Sequence, residues 1–220
     1  MTRDEILARY RHLRAISTRH HTEVLNFLSR RAILDHARRL GLAEGKALIA
    51  DSMDELTLAF DLAIYTAKEG QSRAIDRYAK AARLAPGSDE AAILAAMCWS
   101  RFSIWRVERP HAVAGLIVRD LLRQSEAWLV DLGLEQSAFE GMALAMRLCE
   151  PEAFAMTAGV FVPVDRGMIE EVLDGMLPRV RGEPEQVAED PRFATAIYRI
   201  ALAEGVMAQV AFEEPDPSAI

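Results

Sequence analysis

Aromatic residues make up only 7% of the 220-residue chain, and cysteine is nearly absent, at Cys98 and Cys149 alone. The two cysteines form no Cys-x-x-Cys pair and sit in apolar surroundings, so they build neither a disulfide framework nor a thiolate metal cage. They read as buried free thiols of a reducing cytoplasm. No apolar run approaches the roughly 20 residues that cross a bilayer. The opening residues, Met1-Thr2-Arg3-Asp4-Glu5, lack the apolar stretch of a signal peptide. Also missing are a Gly-rich phosphate loop, a Ser-x-Gly nucleophile setting and a Cys–His pair. These absences leave no catalytic residue to name and imply no cofactor and no membrane.

What the chain does have is helical material. Apolar residues account for 51% of it, with Ala, Leu and Met common, which favours helices packed closely through small side chains. Charge is uneven. Residues 1–46 carry ten Arg and Lys against five Asp and Glu, a net of +5; the remainder carries sixteen against twenty-eight, a net of −12. This asymmetry is the strongest electrostatic feature of the sequence.

An amphipathic helix is expected over residues 3–17, with Ile6, Tyr10, Leu13 and Ser17 on one face. A second is expected over 22–40, capped by Thr22 and ended by a left-handed Gly41. Ser52 and Glu55 have capping-box spacing, opening a helix over 53–68 that buries Leu56, Phe60, Ala63, Ile64 and Ala67. Residues 72–84 and 89–100 form two more, separated by Pro86-Gly87-Ser88. No internal repeat is visible.

Residues 101–165 change character. Five short apolar segments (101–109, 115–123, 126–132, 142–149 and 154–164) are divided by turn-like residues and by a loop over 133–141. Five strands at this spacing suggest a meander curling into a small barrel. Met142, Leu144, Met146 and Leu148 share one face, opposite Ala143, Ala145, Arg147 and Cys149. Two partly apolar faces call for helices covering the outside. Beyond them the pattern is helical again: 168–181, ended near Pro178, a polar link over 182–189, and a helix begun by Asp190-Pro191 that runs over 193–210. The end, from Phe212 on, reads as a disordered acidic tail. The division expected is a helical part (1–100), a barrel (101–165), C-terminal helices packing on it (166–212) and the tail (213–220), an α+β fold that is mostly α-helical.

Val118-Arg119-Asp120-Leu121-Leu122, then Glu126 and Val130-Asp131, then Met142 to Leu148 and Phe161-Val162-Pro163-Val164, resemble a small SH3-like antiparallel β-barrel found in several uncharacterised bacterial proteins. The likeness extends back to about Ala32. Met146 between Ala145 and Arg147 departs from the family's tighter Ala-Arg pattern. The resemblance implies an architecture and carries no activity or site residues with it.

Five constellations could carry chemistry. His20 and His21, with His12, Glu23 and His36, form the only histidine cluster, but adjacent histidines diverge by about 100° on a helix; the reading favours surface or interface histidines and no metal site. Asp51, Asp54, Glu55 and Asp61 suit a helix N-terminus. Trp99, Trp105 and Trp128 suit core or interface, and Asp120, beside Arg119, suits a buried pair fixing a hairpin. The arginines of the first two helices are the remaining candidates, in particular Arg9, Arg11, Arg14, Arg30, Arg31 and Arg38. They would meet phosphate, a partner, or the acidic remainder of the chain; few aromatics interleave them, only Tyr10 and Phe27. The leading expectation is a non-enzymatic, self-associating interaction module. Nucleic-acid binding through these arginines is the second, and a small-ligand or enzymatic site between barrel and helices the third.

Overall fold

The computed structural model describes residues 1–50, 52–68, 70–179 and 183–206. Helix α1 runs unbroken over Arg3–Asn26. It opens with a capping box in which Thr2 and Glu5 bond each other's backbone N–H. The break expected near residue 18 is absent: Thr22, expected as a cap, bonds back to the Thr18 carbonyl inside the helix. The true break is at Phe27-Leu28, where Ser29 caps α2 (Arg30–Leu40) and Gly41, at φ 80°, ends it as expected. A minimal hairpin, β1 (Ala43–Glu44) and β2 (Ala47–Leu48), leads to α3 (Met53–Tyr65), which Ser52 caps through the Glu55 N–H. Then come α4 (Ala74–Ala81) and α5 (Asp89–Cys98).

The expected strands are all present: β3 (Arg101–Pro110), β4 (Leu116–Asp120), β5 (Glu126–Leu129), β6 (Ala143–Cys149) and β7 (Met156–Pro163). A short helix the sequence reading did not foresee, α6 (Leu132–Ser137), lies between β5 and β6, capped by Asp131. The strands make one antiparallel sheet in the order β5-β4-β3-β6-β7.

The sheet is not closed into a barrel, which corrects the expected architecture. Among the described residues, the backbone of its two edges pairs at a single isolated parallel bridge, between Leu129 and Ala155. There Val130 N–H donates to the Ala155 carbonyl at 2.9 Å and Ala155 N–H to the Trp128 carbonyl at 2.7 Å. The ladder cannot grow, because β5 is four residues long and the chain turns at once into the Asp131 cap of α6. Within the ladder, Gly115 lets β4 meet β5 closely: a Cβ there would stand 2.2 Å from the Leu129 carbonyl oxygen, on a residue already at φ +77°.

Both faces of the sheet are buried. Trp105, Val107, Val118, Leu144, Met146 and Leu148 pack against one another on one face, with Leu134 of α6. On the other, Phe102, Ile104, Ala145 and Val162 meet α3 and the C-terminal helices α7 (Arg166–Met176) and α9 (Phe193–Ala203). A second helical cluster joins α1, α4 and α5 to Cys149, Met156 and Ala158 of the sheet. Each fully buried Leu, Ile or Phe here contributes about 1.5–3 kcal/mol of apolar burial. Pro178 lies in a 3₁₀ turn, Leu177–Arg179, directly after α7. The stretch read as a polar link instead holds α8 (Pro184–Glu189), anchored by a buried Val187. Asp190 does not cap the last helix through its side chain; it accepts the Arg192 N–H, and α9 begins at Phe193. The last helix stops at Ala203, capped at Glu204 and followed by Gly205 at φ 65°, short of the expected 210; the acidic tail lies outside the described residues, as do Asp51 and Arg181.

Candidate functional site

The six candidate arginines fall into two groups. Arg9 is tied down within the chain. Its guanidinium bonds both oxygens of Asp89 at the start of α5, at 2.6 and 2.8 Å, and also Glu152 in the β6–β7 turn. The bonds from Arg9, and next the one from His12, hold the Asp89 carboxyl down to a pKa of about 2. Arg14 donates to the Thr157 carbonyl of β7 at 2.5 Å. Arg3 and Arg19 likewise reach Glu135 and Glu90. Arg11 is exposed.

Arg30, Arg31 and Arg38 form the second group. With Leu34, Asp35 and Lys46 they line one groove of about 550 Å³ between α2 and the β1–β2 hairpin. Arg38 holds the hairpin by bonding the Gly45 carbonyl and pairs with Asp35 at 2.8 Å. Among the described residues, the side chains of Arg30, Arg31 and Lys46 have no hydrogen-bond or ion-pair partner. Leu48, Ile49 and Met53 follow Lys46 closely along the chain and are exposed large apolar residues.

The histidines do not converge. His12 meets Asp89, His20 bonds Tyr78 and the Glu90 carbonyl, and His21 bonds the Ser17 carbonyl and the Tyr65 hydroxyl. Among the described residues, no three His, Cys, Asp or Glu side chains come together as metal ligands. Asp54 and Glu55 occupy the first turn of α3 as expected of a helix start, while Asp61 lies two turns on and is buried. Trp105 is fully buried and Trp128 stacks on His111 at 4.1 Å, whereas Trp99 is 84% exposed. Asp120 is buried and organises its hairpin, accepting from Ser103 Oγ, Leu122 N–H and Arg123 N–H. Its charged partner is Arg123 at 3.3 Å, not Arg119. Successive residues of a strand point to opposite faces, and Arg119 bonds Gln124 instead.

One polar constellation escaped the sequence reading. Arg147 of β6 lies under the helices with its side chain 6% exposed, paired with Asp61 of α3 at 3.2 Å. Tyr198 of α9 donates to the same carboxylate at 2.9 Å. The Arg147 guanidinium sits 4.2 Å from the centre of the Tyr65 ring. Gly159 makes room for this group, since a Cβ there would lie 2.7 Å from Asp61 Oδ1. Tyr65 stands between two hollows, one of about 440 Å³ reached by Arg147 and one of about 370 Å³ reached by His21 and Asp61. The available signal was the isolated arginine in an apolar strand; its partner is 86 positions away.

The protons of this network are fixed in place. Burial pushes the Tyr65 and Tyr198 hydroxyls well above their ordinary range. Burial, with Arg14 adding to it, lowers His21 to about 4. The Ser17 carbonyl requires His21 to carry its proton on Nδ1, so Nε2 accepts from Tyr65. Cys149 is pushed up to about 12 by burial, so its thiol is not poised as a nucleophile. Strong satisfaction and remote pKa values suit a group that sets geometry.

No curated protein and no solved structure matches the chain. A family described as of unknown function, DUF7986, matches it over residues 4–210. That span takes in every described helix and strand but for the first residue of α1, so this chain belongs to the DUF7986 family of unknown function.

Proposed function

We propose that the protein is a non-enzymatic interaction module that self-associates through the face of α2 and the β1–β2 hairpin. The observation that carries this reading is the groove of Arg30, Arg31, Arg38 and Lys46 beside exposed Leu48, Ile49 and Met53. An apolar centre with a charged rim is the anatomy of a protein interface. A second copy supplies the complementary charge, because residues beyond 46 carry a net −12. A reducing cytoplasm, with the two thiols free, suits such a role. The barrel expected from the resemblance survives as a proposal of ancestry: the sheet's single bridged seam is what a small SH3-like barrel would leave if its last pairing were lost.

Sedimentation velocity at low and high salt tests the reading. The expected result is a dimer or larger species at low salt, with Ile49→Asp and Met53→Asp each shifting it to monomer. A monomer at every concentration and salt would refute it. The groove cations favour a second reading, nucleic-acid binding. Retention of an oligonucleotide at low salt, lost in Arg30→Ala and Arg31→Ala, would select it over self-association.

A further inference from the structure

Next to that groove, and sharing Arg31 and Asp35 with it, a smaller hollow of about 190 Å³ lies between α2, α3, α4 and the connection between the last two. It is below the roughly 300–1,000 Å³ of pockets for drug-sized ligands, so it suits a small group. Four cations line it: Arg31 and Arg39 from α2, Lys68 from the connection and Arg77 from α4. Among the described residues, Arg31, Arg39 and Lys68 make no ion pair, and Arg77 bonds only the neutral Ser72 carbonyl. The one carboxylate among the described lining residues, Asp35, is paired with Arg38. Ser29, Thr66 and Ser72 also line it.

His36 supplies an independent observation. It lines the same hollow, and its Nδ1 is buried with no hydrogen-bond partner. An unpartnered buried polar atom costs about 1–3 kcal/mol, and native structures seldom leave one unexplained. We propose that this hollow binds a small tetrahedral oxyanion of the phosphate class, with Arg31, Arg39, Lys68 and Arg77 around its charge and the His36 ring, whose Nδ1 has no hydrogen-bond partner, beside it. The ligand is either free phosphate or the phosphate group of a larger molecule. The site stands independently of self-association, although Arg31 borders both faces.

Electrostatics agrees with the geometry. Burial first, and Arg39 next, hold the His36 ring down to about 4; Lys68 adds to this, while Asp35 and Asp61 oppose it. An anion in the hollow reverses the local field and raises that pKa.

The test is calorimetric titration of the full chain with inorganic phosphate and, in a second arm, with glycerol phosphate, while the His36 ring is followed by NMR across pH. Saturable millimolar or tighter binding, with His36 titrating about one pH unit higher when loaded and His21 unmoved, is expected. Saturation by inorganic phosphate identifies the free ion as sufficient; saturation by the ester alone identifies a phosphorylated molecule. Arg39→Ala and Lys68→Ala, both at exposed side chains, should weaken binding at least tenfold with the thermal midpoint unchanged, and Arg39→Lys should recover part of it. No saturation in either arm, or saturation unaffected by Arg39→Ala and Lys68→Ala, overturns the proposal.

Discussion

Helices α2 and α3 pack side by side, yet they treat charge in opposite ways. On α3, Asp61 takes a full charge into the interior and has Arg147 and Tyr198 arranged around it. On α2, the cations stay at the surface with few partners, and His36 keeps a buried nitrogen with no hydrogen-bond partner. Polar groups satisfied within the fold serve the fold, whereas unsatisfied ones beside open space are available to something outside it. The contrast gives α3 an architectural part and is what the proposed recognition role of α2 rests on.

Arg147→Met is the strongest way to break that contrast. It leaves Asp61 charged, buried and unpaired, so a loss of roughly 3–5 kcal/mol is expected in urea unfolding. Adding Asp61→Leu should restore much of it, because the desolvation of both charges disappears together. A loss under 1 kcal/mol would show that the pair is not as buried as its geometry indicates.

Acid should act next. In the unfolded chain a histidine takes its proton near pH 6.5, but in the fold burial delays this to about 4 for both His21 and His36. Between those values the unfolded state holds more protons, so stability is complete above about pH 6.5 and is lost as pH falls toward 4. Unfolding free energies from urea titrations at pH 7 and pH 5 should differ by an amount on the order of 1–2 kcal/mol from His21 alone. In His21→Gln that difference should shrink; an unchanged difference would remove His21 from the account. Saturating phosphate should shrink the part belonging to His36.

The smallest expected effect sharpens the other half of the comparison. Arg30→Ala and Arg31→Ala should leave stability within about 0.5 kcal/mol of the parent, since neither side chain has a partner among the described residues. A larger loss in chemical denaturation would mean that the α2 face also serves the fold.

The residues explain what the sequence could and could not reveal. The strands of 101–165 were legible because turn residues fence each apolar run, and the two faces of β6 were legible because Leu144, Met146 and Leu148 alternate with Ala145, Arg147 and Cys149. The cap at Ser52 and the end at Gly41 were legible because short-range chemistry fixes them. Closure of the sheet was not, since it depends on whether two distant edges pair along a ladder or at the Leu129–Ala155 bridge alone. Helices α6 and α8, six residues each, are too short for periodicity to register. The α2 arginines were visible as a run of charge. What separates them from Arg9 and Arg14 is the presence or absence of partners 80 or more positions away.

The three tryptophans occupy three distinct surroundings: Trp105 sealed within the sheet, Trp128 against an imidazole ring, and Trp99 open to water just past α5. The molecule therefore carries its own optical probes. Iodide will quench the long-wavelength emission of Trp99 while leaving the blue component of Trp105 intact, so solvent access at one surface point and integrity of the sheet interior can be read from a single spectrum without attaching any dye.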